Sequence, residues 1–169
     1  MRVFAHRIVN IWRHHQKYKM RRTKGYQLNP GGGEDFPSAR LFDNPLDLEI
    51  DLLESVLDKI PDDIQALSAL GQLYTQRGHH EKGLEVDRKL CRLRPDDPTV
   101  NYNLACSLSL LEKNGEALDA LSKAVDLGYS DYVHMRSDKD LDNIRPEPRY
   151  KQIVKRLLVR IKSSRASAE

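Results

Sequence analysis

The sequence predicts an all-α fold, a short solenoid of antiparallel helix pairs closed by a C-terminal capping helix. An internal repeat with a period of 34 residues, helical spacing of the apolar residues inside each period, and capping residues at the period boundaries predict it. Composition agrees, since 39% hydrophobic and 31% charged residues with three Phe and one Trp suit a surface-rich helical protein better than a β-sandwich or a deep-pocketed enzyme. A chain of 169 residues holds one ordinary core, or one small domain with tails.

Displacing the chain by 34 residues aligns Pro61 with Pro95, Leu70 with Leu104, Gly71 with Ala105, Leu84 with Leu118, Lys89 with Lys123 and Leu93 with Leu127. One period earlier, Ile50, Leu53 and Val56 precede Leu84, Asp87 and Leu90. Charge is segregated along the same axis. Residues 1–33 carry eight basic and no acidic residues, residues 145–169 carry eight basic against two acidic, and the acidic centre carries a net −11 within an overall +3.

Residues 1–28 form a basic arm: Arg2, Arg7, Arg13, Lys17, Lys19, Arg21, Arg22 and Lys24 accompany Phe4, Ile8, Ile11 and Trp12 at helical spacing. Such a segment suits an anionic membrane surface, nucleic-acid phosphates or an acidic groove, and equally a solvated tail or an Arg-rich targeting peptide. Residues 29–43 contain Asn-Pro-Gly-Gly-Gly and read as a linker. Folded back across it, residues 3–20 are expected to pack as a helix against the one predicted at 45–60.

The half repeat 44–63 begins with Asn44 as cap and Pro45 in the first turn, and stops at Pro61. Repeat 64–97 places Leu67, Leu70, Leu73 and Tyr74 on one stripe and Leu84, Leu90, Cys91 and Leu93 on a second. Repeat 98–131 follows the same plan. Asp63 and Asp97 are expected to cap helix starts, Pro98 to open a first turn, and Gly78, Gly115 and Gly128 to mark helix exits. The small residues Gly71, Ala105, Gly83 and Ala117 allow close approach of helix axes. The array is taken as 44–137, the closing segment and helix as 138–162, and residues 163–169 as a disordered tail.

Leu67, Leu70-Gly71, Tyr74, Gly83 and Pro95 resemble the pattern of the tetratricopeptide repeat. The second repeat departs from it: Asn101 stands where the family has a large apolar residue, and Tyr129 takes the proline position. Residues 138–150 resemble the run that closes bacterial arrays of this family. The last helix, about 147–162, is expected to lay Ile153, Val154, Leu157, Leu158 and Ile161 over the stack, with Lys151, Lys155, Arg156 and Arg160 outside.

The resemblance implies a concave groove lined by the first helix of each repeat. It places Gln65, Ser68, Gln72, Tyr102, Asn103, Cys106 and Ser109 there as partner-binding residues, with Thr75 beside them. Some family members hold acidic chaperone tails in a clamp of Lys, Asn and Arg. Asn103 agrees with that clamp, Gln72 nearly does, and Ser68, Val133 and Ser137 do not supply its cations, so that ligand class is not expected.

Catalysis has no foothold in the residues. No phosphate loop, Rossmann fingerprint, nucleophile elbow or zincin motif occurs. His14-His15 and His79-His80 are adjacent, so on a helix they point about 100° apart and do not share a metal. Cys91 lies on an apolar stripe, whereas Cys106 is expected on the groove with no partner base. Two cysteines suggest a reducing compartment. The expectation is a non-catalytic adaptor without metal, cofactor or small-molecule substrate, cytoplasmic and binding another protein. The alternative is a peripheral membrane- or RNA-associated protein held by its basic arm.

Overall fold

The helix starts at Pro45, Ile64, Pro98 and Tyr132 are set by side-chain oxygens that satisfy otherwise orphaned amides. A computed structural model describes residues 44–166, and every regular element among them is helical: α1 (Pro45–Leu57), α2 (Ile64–Gln76), α3 (His80–Leu93), α4 (Pro98–Leu110), α5 (Asn114–Asp126), α6 (Tyr132–Ser137), a 3₁₀ turn (Lys139–Leu141) and α7 (Pro148–Ala166). Asn44 accepts from the Leu46 amide at 2.9 Å, Asp63 from Ala66 at 2.9 Å, and Asp97 from Thr99 at 2.8 Å and Val100 at 3.1 Å. Pro45 and Pro98 each occupy a first turn, where their missing N–H removes nothing.

Helix exits repeat one hydrogen-bonded closure. The amides of Gly78 and His79 donate to Thr75 and Tyr74, those of Glu112 and Lys113 to Ser109 and Leu108, and those of Gly128 and Tyr129 to Val125 and Ala124. The left-handed residue at the second exit is Glu112, at φ +57°, while Gly115, expected there, is the second residue of α5. Glu112 stands one period after Gly78, so the turn keeps its geometry while losing its glycine.

The chain divides into two compact units at Pro61. The first contributes α1, which ends at Leu57 and buries Ile50. In the second, α2 packs on α3, α3 on α4 and α4 on α5; the 3₁₀ turn packs on α4, and α7 on α5 and α6. Leu121, Val125, Met135, Leu141, Ile144 and Leu157 are fully buried, so the core is concentrated where α5, the closing segment and α7 meet. Leu93, expected on the apolar stripe of α3, is instead 36% exposed. The last helix extends to Ala166, so the first residues assigned to a tail continue the helix.

Four buried polar residues, Asp87, Asn101, Ser107 and Ser109, interrupt the apolar interior. Asn101, in the place of a large apolar residue, donates from Nδ2 to the carbonyls of Pro95 (3.0 Å) and Asp97 (2.8 Å) and so ties down the turn before α4. Asp87 is 6% exposed and accepts a 2.5 Å hydrogen bond from the Ser107 hydroxyl. Burial pushes its carboxyl up to about 6, with the Ser107 hydrogen bond opposing. Gly71 leaves the space above this carboxylate: a Cβ at that position would stand 3.2 Å from Asp87 Oδ1.

Candidate interaction surface

Along α2 the apolar residues Leu67, Leu70 and Tyr74 turn inward, and the helical period therefore turns Gln65, Ser68 and Gln72 outward. All three are exposed. Their stripe is polar and uncharged, and its Ser68 hydroxyl is spent on the carbonyl of Ile64 at 2.8 Å. Thr75 is half-buried and donates to the Gly71 carbonyl.

The corresponding face of α4 is different. Asn103 is exposed, but Tyr102, Cys106 and Ser109, expected on the groove surface, are buried at 2%, 8% and 0% exposure. The closing segment covers them. Tyr129 stacks on Tyr102 with ring centroids 4.2 Å apart and planes at 3°, and His134 approaches the same ring at 5.6 Å. The Asn143 side chain donates to the Ser109 carbonyl at 2.7 Å.

Asp138 is the centre of this cover. Its Oδ2 accepts from the Tyr102 hydroxyl at 2.7 Å and the Cys106 thiol at 3.5 Å, and lies 3.4 Å from His134 Nε2. Its Oδ1 accepts from the Asp140 amide at 3.0 Å, opening the 3₁₀ turn, while Arg145 donates to its carbonyl at 2.6 Å and also to that of Arg136. Tyr150 of α7 donates to the Met135 carbonyl at 3.2 Å. The segment from Tyr129 to Tyr150 is thus fastened to α4 and α7 by both packing and hydrogen bonds.

This environment also settles the chemistry of the thiols. Burial, and then the neighbouring Asp138 carboxylate, push the Cys106 thiol well above its ordinary value. A thiol so held does not supply a thiolate nucleophile near neutral pH. Cys91 is pushed up to about 11 by burial and by Asp87, and its thiol donates to the Val100 carbonyl at 3.7 Å. Burial likewise raises Tyr102 and Tyr129, so both phenols stay protonated.

Tyr102 and Asp138 lie 36 residues apart, and no spacing rule in the sequence joins them. The available signal was the density of carboxylates at Asp138, Asp140 and Asp142, which marks a capped turn and not the residue that it reaches. The basic residues Arg2, Arg7, Arg13, Lys17, Lys19, Arg21, Arg22 and Lys24, and the expected packing of residues 3–20, lie outside the described residues. Among the described residues, no helix is long and apolar enough to cross a membrane.

No family model matches the chain. By sequence it is similar to Protein CTR9 homolog from Arabidopsis thaliana, 44% identical over 71 residues that make up 42% of this chain and 6% of that protein. It is also similar to a chloroplastic protein from the same plant, 30% identical over 88 residues, 50% of this chain and 26% of the relative. The chain therefore spans a minor part of both curated relatives. Among solved structures it resembles a crystal structure of MamA, with a TM-score of 0.55, 21% identity, and coverage of 68% of this chain and 63% of that one. MamA is a tetratricopeptide-repeat protein, and the likeness is one of fold.

Proposed function

We propose that this chain, which has the tetratricopeptide-repeat solenoid fold, is a non-catalytic adaptor that receives a partner peptide or helix on the open part of its groove. The carrying observation is the contrast between its two first helices. The closing segment occupies the inner face of α4, whereas Gln65, Ser68 and Gln72 on α2, with Asn103 on α4, remain exposed. Carboxamides donate and accept at once, so they suit the alternating N–H and C=O groups of a partner backbone. A prefolded surface of this kind binds without the cost of ordering its backbone, leaving only that of its side chains.

Support for a non-catalytic role comes from the thiols, both raised and both hydrogen-bonded to oxygen. Tyr102, Cys106 and Ser109 are not among the contact residues in this reading, since a partner reaches them only by displacing the closing segment.

The test is affinity capture from lysate at low and high salt, with the full chain, a variant lacking residues 1–28, and Q65A/Q72A/N103A. A protein that survives high salt and loss of the arm but is lost with the triple substitution supports the groove. Retention by the triple variant removes the groove as the site.

A further inference from the structure

On α7 the arginines and lysines have separate duties. Arg149 pairs with Asp119; Arg156 pairs with Asp126 at 3.3 Å and donates to the Ser122 hydroxyl at 2.6 Å. Arg160 donates to the carbonyls of Val125 (2.6 Å) and Asp126 (2.9 Å), capping the end of α5. Expected to point outward, Arg156 and Arg160 thus bend back and clamp α7 to α5. The lysines do not. Lys151, Lys155 and Lys162 are exposed and fall within about 40° of arc on the helix, along a line of about 16 Å. They lie opposite the buried Tyr150, Ile153 and Leu157. No acidic residue occurs between positions 148 and 166.

Apolar residues flank this line. Val159 is 57% exposed on one side, and half-buried Leu158 lies on the other. Beside Lys155 a cleft of about 460 Å³ opens between α7 and the end of α5, lined by Asp126, Gln152, Lys155, Arg156, Val159 and Arg160. Its exposed lining is almost wholly aliphatic, made of side-chain stems and Val159, while the Arg156 and Arg160 head groups are turned to α5.

We infer that the outward face of α7 docks on an anionic lipid bilayer, with lipid phosphates along Lys151, Lys155 and Lys162. The sign of the face demands an anionic partner, and the residue types select a bilayer over nucleic acid. Arg149, Arg156 and Arg160, of the type that suits bidentate contacts to phosphate and to base edges, are spent on α5. No aromatic ring stands on the outer stripe to stack a base. Lysines beside an exposed aliphatic residue, here Val159, suit a helix that lies at a lipid interface. This inference stands apart from the groove and does not depend on it.

The full chain is tested by sedimentation with vesicles of phosphatidylcholine alone and of three parts phosphatidylcholine to one part phosphatidylserine. Binding to the anionic vesicles only is expected, falling on the order of 100-fold in K151E/K155E/K162E and much less in K151R/K155R/K162R. The neutral triple K151Q/K155Q/K162Q is expected to fall in between, and its melting curve shows whether the fold is kept. Equal vesicle binding by the charge-reversed and unaltered chains overturns the assignment. So does capture of a double-stranded RNA by this face in the absence of any vesicle binding.

Discussion

The Tyr102 hydroxyl donates a 2.7 Å hydrogen bond to Asp138 Oδ2, which joins the middle of α4 to the segment that closes the array. The same oxygen takes the Cys106 thiol, so one carboxylate holds two side chains that would otherwise line an open groove. Closure of the solenoid and concealment of half its inner surface are therefore a single structural event.

Removing the hydroxyl should loosen that closure. Tyr102→Phe keeps the stack on Tyr129 but leaves Asp138 with one partner fewer, at a cost of roughly 1–3 kcal/mol. In a Cys91→Ser background, Cys106 is expected to react faster with a thiol reagent, and the melting temperature to fall. An unchanged reaction rate would show that the closing segment is held by its apolar contacts alone.

Asp87 makes stability depend on pH. Its carboxyl sits at about 6 in the folded protein, against an ordinary 3.8, so the folded state holds this proton more tightly than the unfolded chain does. That contribution is present in full below about pH 4 and is lost as pH rises through about 6, a swing of roughly 2–3 kcal/mol. Asp87→Asn keeps an acceptor for Ser107 and never ionises. Chemical denaturation from pH 4 to 7.5 should show a flatter profile for the variant and equal or greater stability at neutral pH.

The two buried glycines of the first repeat should respond oppositely to alanine. At Gly71 a Cβ meets Asp87 Oδ1 at 3.2 Å, and that carboxylate is held by the Ser107 hydroxyl. At Gly83 the nearest atom is Thr75 Oγ1 at 3.4 Å, an ordinary contact. Gly71→Ala is expected to destabilise by about 1 kcal/mol despite its gain in helix propensity, and Gly83→Ala to be neutral or stabilising by up to about 1 kcal/mol. Thermal melts of the pair decide it; the same sign at both sites would contradict the role given to Asp87.

Glu112 holds a left-handed backbone, at φ +57°, that Gly78 and Gly128 adopt at the matching exits. Relieving the Cβ clash by Glu112→Gly should raise stability by about 1 kcal/mol, because the side chain is exposed and the strain is local. A lower melting temperature would mean that the turn is not strained.

Much of the fold was legible because helices announce themselves locally. Caps at Asn44, Asp63 and Asp97 and the apolar stripes of α2 and α5 are written at spacings of two to four residues, and a 34-residue period orders the pairs. The exit at Glu112 was misassigned to Gly115 because residue type was followed there in place of the period. Exposed residues of α2 were also legible: once Leu67, Leu70 and Tyr74 face inward, Gln65, Ser68 and Gln72 have one direction left.

Helical class, the repeat and the segregation of charge to the chain ends follow from local sequence. Exposure of the polar residues depends instead on long-range packing. Tyr102, Cys106 and Ser109 carry groove-like positions in their helix, yet a segment some thirty residues downstream covers them. Likewise α7 displays its cations in sequence without saying that Arg149, Arg156 and Arg160 return to α5 while Lys151, Lys155 and Lys162 stay outside. Periodicity records which way a residue points from its own helix, and long-range packing determines whether it meets solvent there or another part of the chain.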